Sequence, residues 1–230
     1  MSIAEKLQTI AENEQRVYEA GKQAEYDRFW ETHLANMGDG FFAFAGKGWN
    51  DETFNPPHGT VLRPTYASNM FSGTGITDLV ALCEEGEITL DFSQSWTLSQ
   101  LFYTLSGRAY LTRVGVINTT RAASLGQVFA GQSNLHTIIK LVFKEDGSQG
   151  ISNLFTGCTA LANMIIEGTI GKNGFNVSDC VLLSHDSLMS IINHLKSGVS
   201  GLTVTLGSTN LAKLTDAEKA IATQKGWTLL

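Results

Sequence analysis

The chain has 230 residues, 43% of them hydrophobic, and a formal net charge of −6. That acidic balance, with no Lys/Arg cluster, argues against duplex nucleic acid or an anionic membrane as partner. No apolar run reaches transmembrane length, so no membrane insertion is expected.

Charged residues make up 17%, below the roughly 25% usual in soluble domains. There are 23 glycines and only 3 prolines, which suits many tight turns between short elements. Cys83, Cys158 and Cys180 show no C-x-x-C spacing, so they read as buried thiols in a reducing compartment. The stretch Met1–Lys6 carries no apolar signal core, and synthesis in the cytoplasm without a cleaved signal is expected.

Residues 1–37 are helical in pattern. Ser2 and Glu5 have capping-box spacing, and Ile3, Leu7, Ile10 and Val17 form a weak apolar seam. Gly21 is expected to break or bend the helix, giving more than one helical piece. A second stripe lies at Tyr26, Phe29, Trp30, His33, Leu34 and Met37. Ile3, Leu7, Ile10, Val17, Tyr26, Phe29 and Trp30 are the candidate docking or oligomerisation face. Packing within the chain is the plain alternative.

Gly38-Asp39-Gly40 is a helix stop. Residues 38–65 are dense in aromatics from Phe41 to Trp49 and read as a cap on the first repeat. An aromatic ligand platform is the sharper alternative.

Residues 66–183 repeat. Ala67-Ser68-Asn69-Met70-Phe71 matches Leu98-Ser99-Gln100-Leu101-Phe102, then Leu125–Phe129 and Ile151–Phe155, with a degenerate copy at Val177–Val181. The pattern is apolar, small, Asn/Gln, apolar, Phe. Its last position falls at Phe71, Phe102, Phe129, Phe155 and Val181, so the steps are 31, 27, 26 and 26 residues. A nearly fixed step of this size is the mark of a solenoid, in which no copy buries its apolar face alone. Each copy continues through a Gly turn into a short strand, at 79–80, 114–117, 138–142 and 164–166. The five repeat positions are expected to form an internal column, and the Asn/Gln positions to bond turn backbone.

Residues 184–230 read as a closing unit of helix, strand, helix and strand: 185–195, 202–206, 215–225 and 227–230. Thr215 and Glu218 have capping-box spacing. The fold class is α+β: N-terminal α-helices, a short solenoid and this C-terminal cap, which would cover the open edge.

Phe155-Thr156-Gly157-Cys158-Thr159-Ala160-Leu161 and its copy Phe129–Leu135 resemble the leucine-rich repeat of the BspA-like bacterial surface-protein class. Residues 10–30 and the tail, from Leu206–Thr215 through Gly226–Leu229, resemble proteins encoded in prophages of gut Firmicutes. The likeness implies a leucine-rich-repeat solenoid in a phage structural protein of the tail, baseplate or a receptor-binding fibre. It implies a virion location, with other virion subunits or a host surface glycan or protein as partners. A homo-oligomer, a trimer by analogy with tail fibres, is the expected assembly. The runner-up is an adhesin-like bacterial binding module outside any virion. A hydrolase comes third and needs an acidic pair in a groove.

No catalytic constellation is expected, nor any cofactor or metal. Ser184-His185-Asp186 has triad residue types, but in sequence rather than converging, and reads as a helix start. His185 and His194 fall on different helical azimuths. Gly46-Lys47-Gly48 lacks the rest of a phosphate loop. Cys158 reads as a small buried residue.

Overall fold

The computed structural model describes residues 3–35, 54, 61–79, 89–104 and 109–230. Several expectations lie outside the described residues: the Ser2 cap, the helix stop at 38–40, the aromatic run 41–49, Gly46-Lys47-Gly48 and Cys83. The chain divides into two units, Met1–Met37 and Gly38–Leu230.

The first unit is one helix, α1, Ile3–Ala35. At 1.5 Å per residue it is about 50 Å long. Its sequence supplies side-chain partners one turn apart: Gln8 donates to Glu12 at 3.0 Å, Gln15 to Glu19 at 2.6 Å and Gln23 to Asp27 at 2.7 Å. Each such pair is worth a few tenths of a kcal/mol. The break expected at Gly21 is absent, and the helix runs through it. The reason is one of magnitude. A helical Gly costs only about 1 kcal/mol relative to Ala, which the flanking turns absorb.

The second unit is built on parallel pairing. β2 (Asp78–Leu79), β4 (Arg113–Asn118), β5 (Thr137–Val142) and β6 (Asn163–Glu167) form a four-stranded sheet in that order. Val114 pairs with Ile138 and Ile138 with Met164, while Ile117, Leu141 and Ile166 align one step on. β6 has one residue fewer between these points, so β5 bulges there. β1 (Val61–Leu62) pairs with β3 (Thr89–Leu90).

The turns between strands stack in register too. Asn69 N donates to Ser99 O, Gln100 N to Gly126 O and Gln127 N to Ser152 O, at 2.9–3.2 Å. Phe71, Phe102 and Phe129 do the same to residues 101, 128 and 154. The Asn/Gln position has a backbone reason. Asn69, Gln100, Gln127 and Asn153 all lie in the left-handed region, at φ 57°, 59°, 58° and 55°. Asn is the non-glycine residue that enters this region most readily. The side chains do not uniformly turn to backbone as expected: Gln100 Nε2 donates to Gln127 Oε1 at 3.0 Å.

Phe71, Phe102, Phe129 and Phe155 are fully buried and stacked. Their centroids are 5.5, 5.6 and 5.6 Å apart, and their planes 22°, 17° and 1° from parallel. Phe54 closes one end edge-on at 5.5 Å. Val181, the fifth expected member, is not in the column. It is 40% exposed, and Phe175 meets Phe155 edge-on at 5.8 Å instead. The copy departs at Asp179, which stands where Asn or Gln stands elsewhere. Its backbone is not left-handed, and its carboxylate accepts from Gly157 N at 2.8 Å. Cys180 N donates to Val177 O and Leu183 N to Cys180 O, as Cys158 and Leu161 do after Phe155, so buried Cys180 stands where Cys158 does and the copy is out of step with the pattern.

The last elements are α2 (His185–Asn193), β7 (Leu202–Val204), α3 (Ser208–Leu211), α4 (Asp216–Gln224) and β8 (Trp227–Leu229). β7 and β8 pair in parallel. Ser184 caps α2 by accepting from Ser187 N. Thr215 and Glu218 form the capping box of α4. The α2 serines also serve the sheet: Ser187 Oγ accepts from Met164 N at 2.9 Å, and Ser190 Oγ from Ile166 N at 2.8 Å. They satisfy donors on the edge of β6 that would otherwise be open to another chain. Lys225 Nζ donates to Ile192 O at 3.0 Å, placing a cation at the C-terminal end of α2.

Candidate binding face

Three internal amides hold the turns together; Gln132 stands at a position of the repeat, and Gln149 and Asn210 lie outside the repeated pattern. Gln132 Oε1 accepts from Tyr110 N at 3.3 Å and Leu111 N at 3.1 Å, and its Nε2 donates to Phe102 O. Gln149 Oε1 accepts from Lys144 N, and its Nε2 donates to the carbonyls of Thr119 and Ala122 at 2.7 and 2.9 Å. Asn210 donates to three carbonyls, at Val177, Cys180 and Leu206, and accepts from Lys213 Nζ. All three are buried, and each makes bonds on both sides of its amide.

A related device caps the carbonyls of the Phe column. The Tyr110 hydroxyl donates to Phe71 O at 2.7 Å and Phe102 O at 3.1 Å. Gln132 adds to Phe102 O, and Cys158 Sγ lies 3.2 Å from Phe129 O. Cys158 and Gln132 thus stand at one repeat position and do one job. Burial pushes the Tyr110 phenol well up, so it stays a donor. Burial, and then Cys180, raises the Cys158 thiol. Burial, and then Asp179, pushes Cys180 up to about 12. Both cysteines are neutral thiols at pH 7.

The triad-like run does not converge. Ser184 Oγ contacts Ser187, while His185 Nε2 lies 2.9 Å from Glu218 Oε1 on α4. His194 Nδ1 lies 2.8 Å from Ser190 O, one helical turn back. Among the described residues no group of three or more His, Cys, Asp or Glu side chains is placed to hold a metal ion.

On α1, Val17 is 73% exposed, and Tyr18 is 56% exposed with Lys22 Nζ 4.5 Å above its ring. Tyr26 is half-buried. The side chains of Ile3, Leu7, Ile10, Phe29 and Trp30 lie outside the described residues. No described helix is long and apolar enough to cross a membrane.

An open groove of about 460 Å³ crosses the second, third and fourth turns. Its shape derives from the repeat. The position after each column Phe is Tyr103, Ala130 or Thr156, and two of the next positions are Gly131 and Gly157. All five line the groove. Gly131 is at φ 85°, and a Cβ there would sit 2.3 Å from Thr104 O, so the turns approach too closely for any side chain. Backbone and a methyl make the middle of the groove, with larger side chains to either side. Thr104, Gln127, Ser133 and Asn153 complete its lining.

Together these features define an α+β chain of stacked parallel turns with a polar groove on the turn side. The chain matches no protein-family model, no curated protein and no solved structure.

Proposed function

We propose that the chain is a non-enzymatic phage virion structural protein of tail, baseplate or receptor-binding type. In this reading a short leucine-rich-repeat solenoid presents a surface for host attachment or subunit assembly. The observation that carries it is the in-register stack of turns, with Phe71, Phe102, Phe129 and Phe155 inside and an open polar groove outside. Such an arrangement commits its interior to packing and leaves its turn face available. The likeness of residues 10–30 and of the tail to prophage-encoded proteins supports the virion setting. The solvated Val17 and Tyr18 on α1 support a role for that helix in homo-oligomer formation.

Two measurements test this. Light scattering of the full chain is expected to give an oligomer that Val17→Glu weakens; a monomer for the full chain refutes self-assembly. Labelled protein is expected to bind cells of gut Firmicutes or to co-assemble with tail proteins from the same genome. Failure of both refutes the attachment and assembly reading.

A further inference from the structure

The polar groups of the groove differ from those inside the turns. Gln132, Gln149 and Asn210 spend their amides on backbone. In the groove, the Tyr103 hydroxyl, Ser133, Thr156 and the Asn153 side chain make no hydrogen bond among the described residues. Gln127 accepts from Gln100 through Oε1, which leaves its Nε2 donors over. Hydroxyls and amides that both donate and accept therefore line one concavity with a phenol ring at its side. None of the lining residues is charged. Asp179 of the neighbouring turn already accepts from Gly157 N.

We propose that this groove is a binding site for a neutral carbohydrate, a short chain of uncharged sugar rings. The proposal rests on the attachment reading and names the class of surface molecule that reading requires. Each sugar hydroxyl both donates and accepts, which matches amide and hydroxyl partners. The C–H face of a sugar ring matches the Tyr103 ring. A phosphate, carboxylate or ammonium ligand would lose its hydration here with no opposite charge to replace it. The groove's volume falls within the range of small-molecule sites and is far more than a single ion needs. Gly131 and Gly157 line it without side chains, so a ring can lie close to backbone there.

The test is saturation-transfer difference NMR on the full chain. The probes are neutral oligosaccharides of glucose, galactose, mannose and N-acetylglucosamine, with sialyllactose and a heparin fragment as charged comparisons. The expected result is transfer to at least one neutral oligosaccharide and none to the charged ones. Tyr103→Ala is expected to weaken that binding about tenfold, the equivalent of one lost ring contact. Thr156→Trp, at an exposed position, is expected to abolish it by filling the groove. Circular dichroism confirms that both variants are folded, and Asn153→Asp is a third variant whose backbone tolerates the left-handed position. No transfer to any neutral oligosaccharide overturns the proposal, as does binding unchanged in all three variants or a preference for the charged probes. Cell binding that persists without saccharide binding overturns this inference while leaving the attachment reading intact; loss of all cell binding and co-assembly overturns that reading itself.

Discussion

Phe129 lies in the middle of the column, with Phe102 and Phe155 each 5.6 Å away and no exposed surface. Phe129→Ala removes a buried ring, and neighbours stacked on both sides restrain collapse into the gap. Large-to-small changes of this kind cost about 3–5 kcal/mol. Phe129→Leu keeps most of the apolar burial and loses two aromatic contacts of roughly 0.5–1.5 kcal/mol each, so its cost is about 1–3 kcal/mol. Val181, 40% exposed and outside the column, should lose less than about 1 kcal/mol as Val181→Ala. Equilibrium urea unfolding at 25 °C, monitored by far-ultraviolet circular dichroism, gives all three values. The expected order is Phe129→Ala, then Phe129→Leu, then Val181→Ala. If Phe129→Ala costs no more than Val181→Ala, the column is not the core of the stack.

Three further outcomes rest on single residues. Gln132→Leu leaves the N–H groups of Tyr110 and Leu111 without their buried acceptor and should cost about 2–5 kcal/mol in the same urea assay. At Gln127, glycine relieves a left-handed backbone worth about 1 kcal/mol but loses the Gln100 bond, so Gln127→Gly should be near neutral. Gln127→Val should be less stable than Gln127→Gly by roughly 2 kcal/mol or more, read as a difference in melting curves. The Thr215 backbone N–H and hydroxyl, and then His185, hold the Glu218 carboxyl below the usual carboxylate range. A lowered folded-state pKa gives stability that is complete above the unfolded value of about 4.3 and is lost as pH falls through the folded value. Glu218→Gln keeps an acceptor for the cap without the titration, so its melting temperature should fall less steeply than wild type below about pH 4.

What could be read from the sequence was whatever the chain repeats or places at an element's end. The spacing of Phe71, Phe102, Phe129 and Phe155 identifies the four stacked rings. Runs of β-branched residues identify β4, β5 and β6. Ser184, Thr215 and Glu218 identify helix starts, because capping needs one residue type at one offset. Features that depend on a partner far along the chain were not legible. Phe175 lies outside the repeated pattern, and only the neighbouring rings show that it replaces Val181. Gln149 and Asn210 look like ordinary surface amides until their distant partners, 27 to 33 residues away, are known. Gly21 has no such partner to consult. Whether it breaks a helix turns on about 1 kcal/mol, which local pattern alone does not decide.

The position after each column Phe separates what holds the turn from what faces the groove. Its occupants, Ser72, Tyr103, Ala130 and Thr156, differ in size and chemistry, whereas the Phe before them does not vary in these four turns. The backbone at all four is held by the same ladder of turn hydrogen bonds and by the left-handed residue two positions before the Phe. The ladder uses only N–H and C=O groups; Ser72 Oγ adds a bond to Tyr103 O at 2.9 Å, but the ladder itself does not need the side chains of Tyr103 or Thr156. Tyr103 is half-exposed, and its ring takes no part in the stack of Phe rings. Tyr103→Ala should therefore leave stability within about 1 kcal/mol of wild type, the scale of surface changes. A loss of about 3 kcal/mol or more in urea unfolding would make Tyr103 a packing residue and remove the separation on which the groove's availability depends. With stability retained, any change in ligand binding at Tyr103 reports on the groove itself.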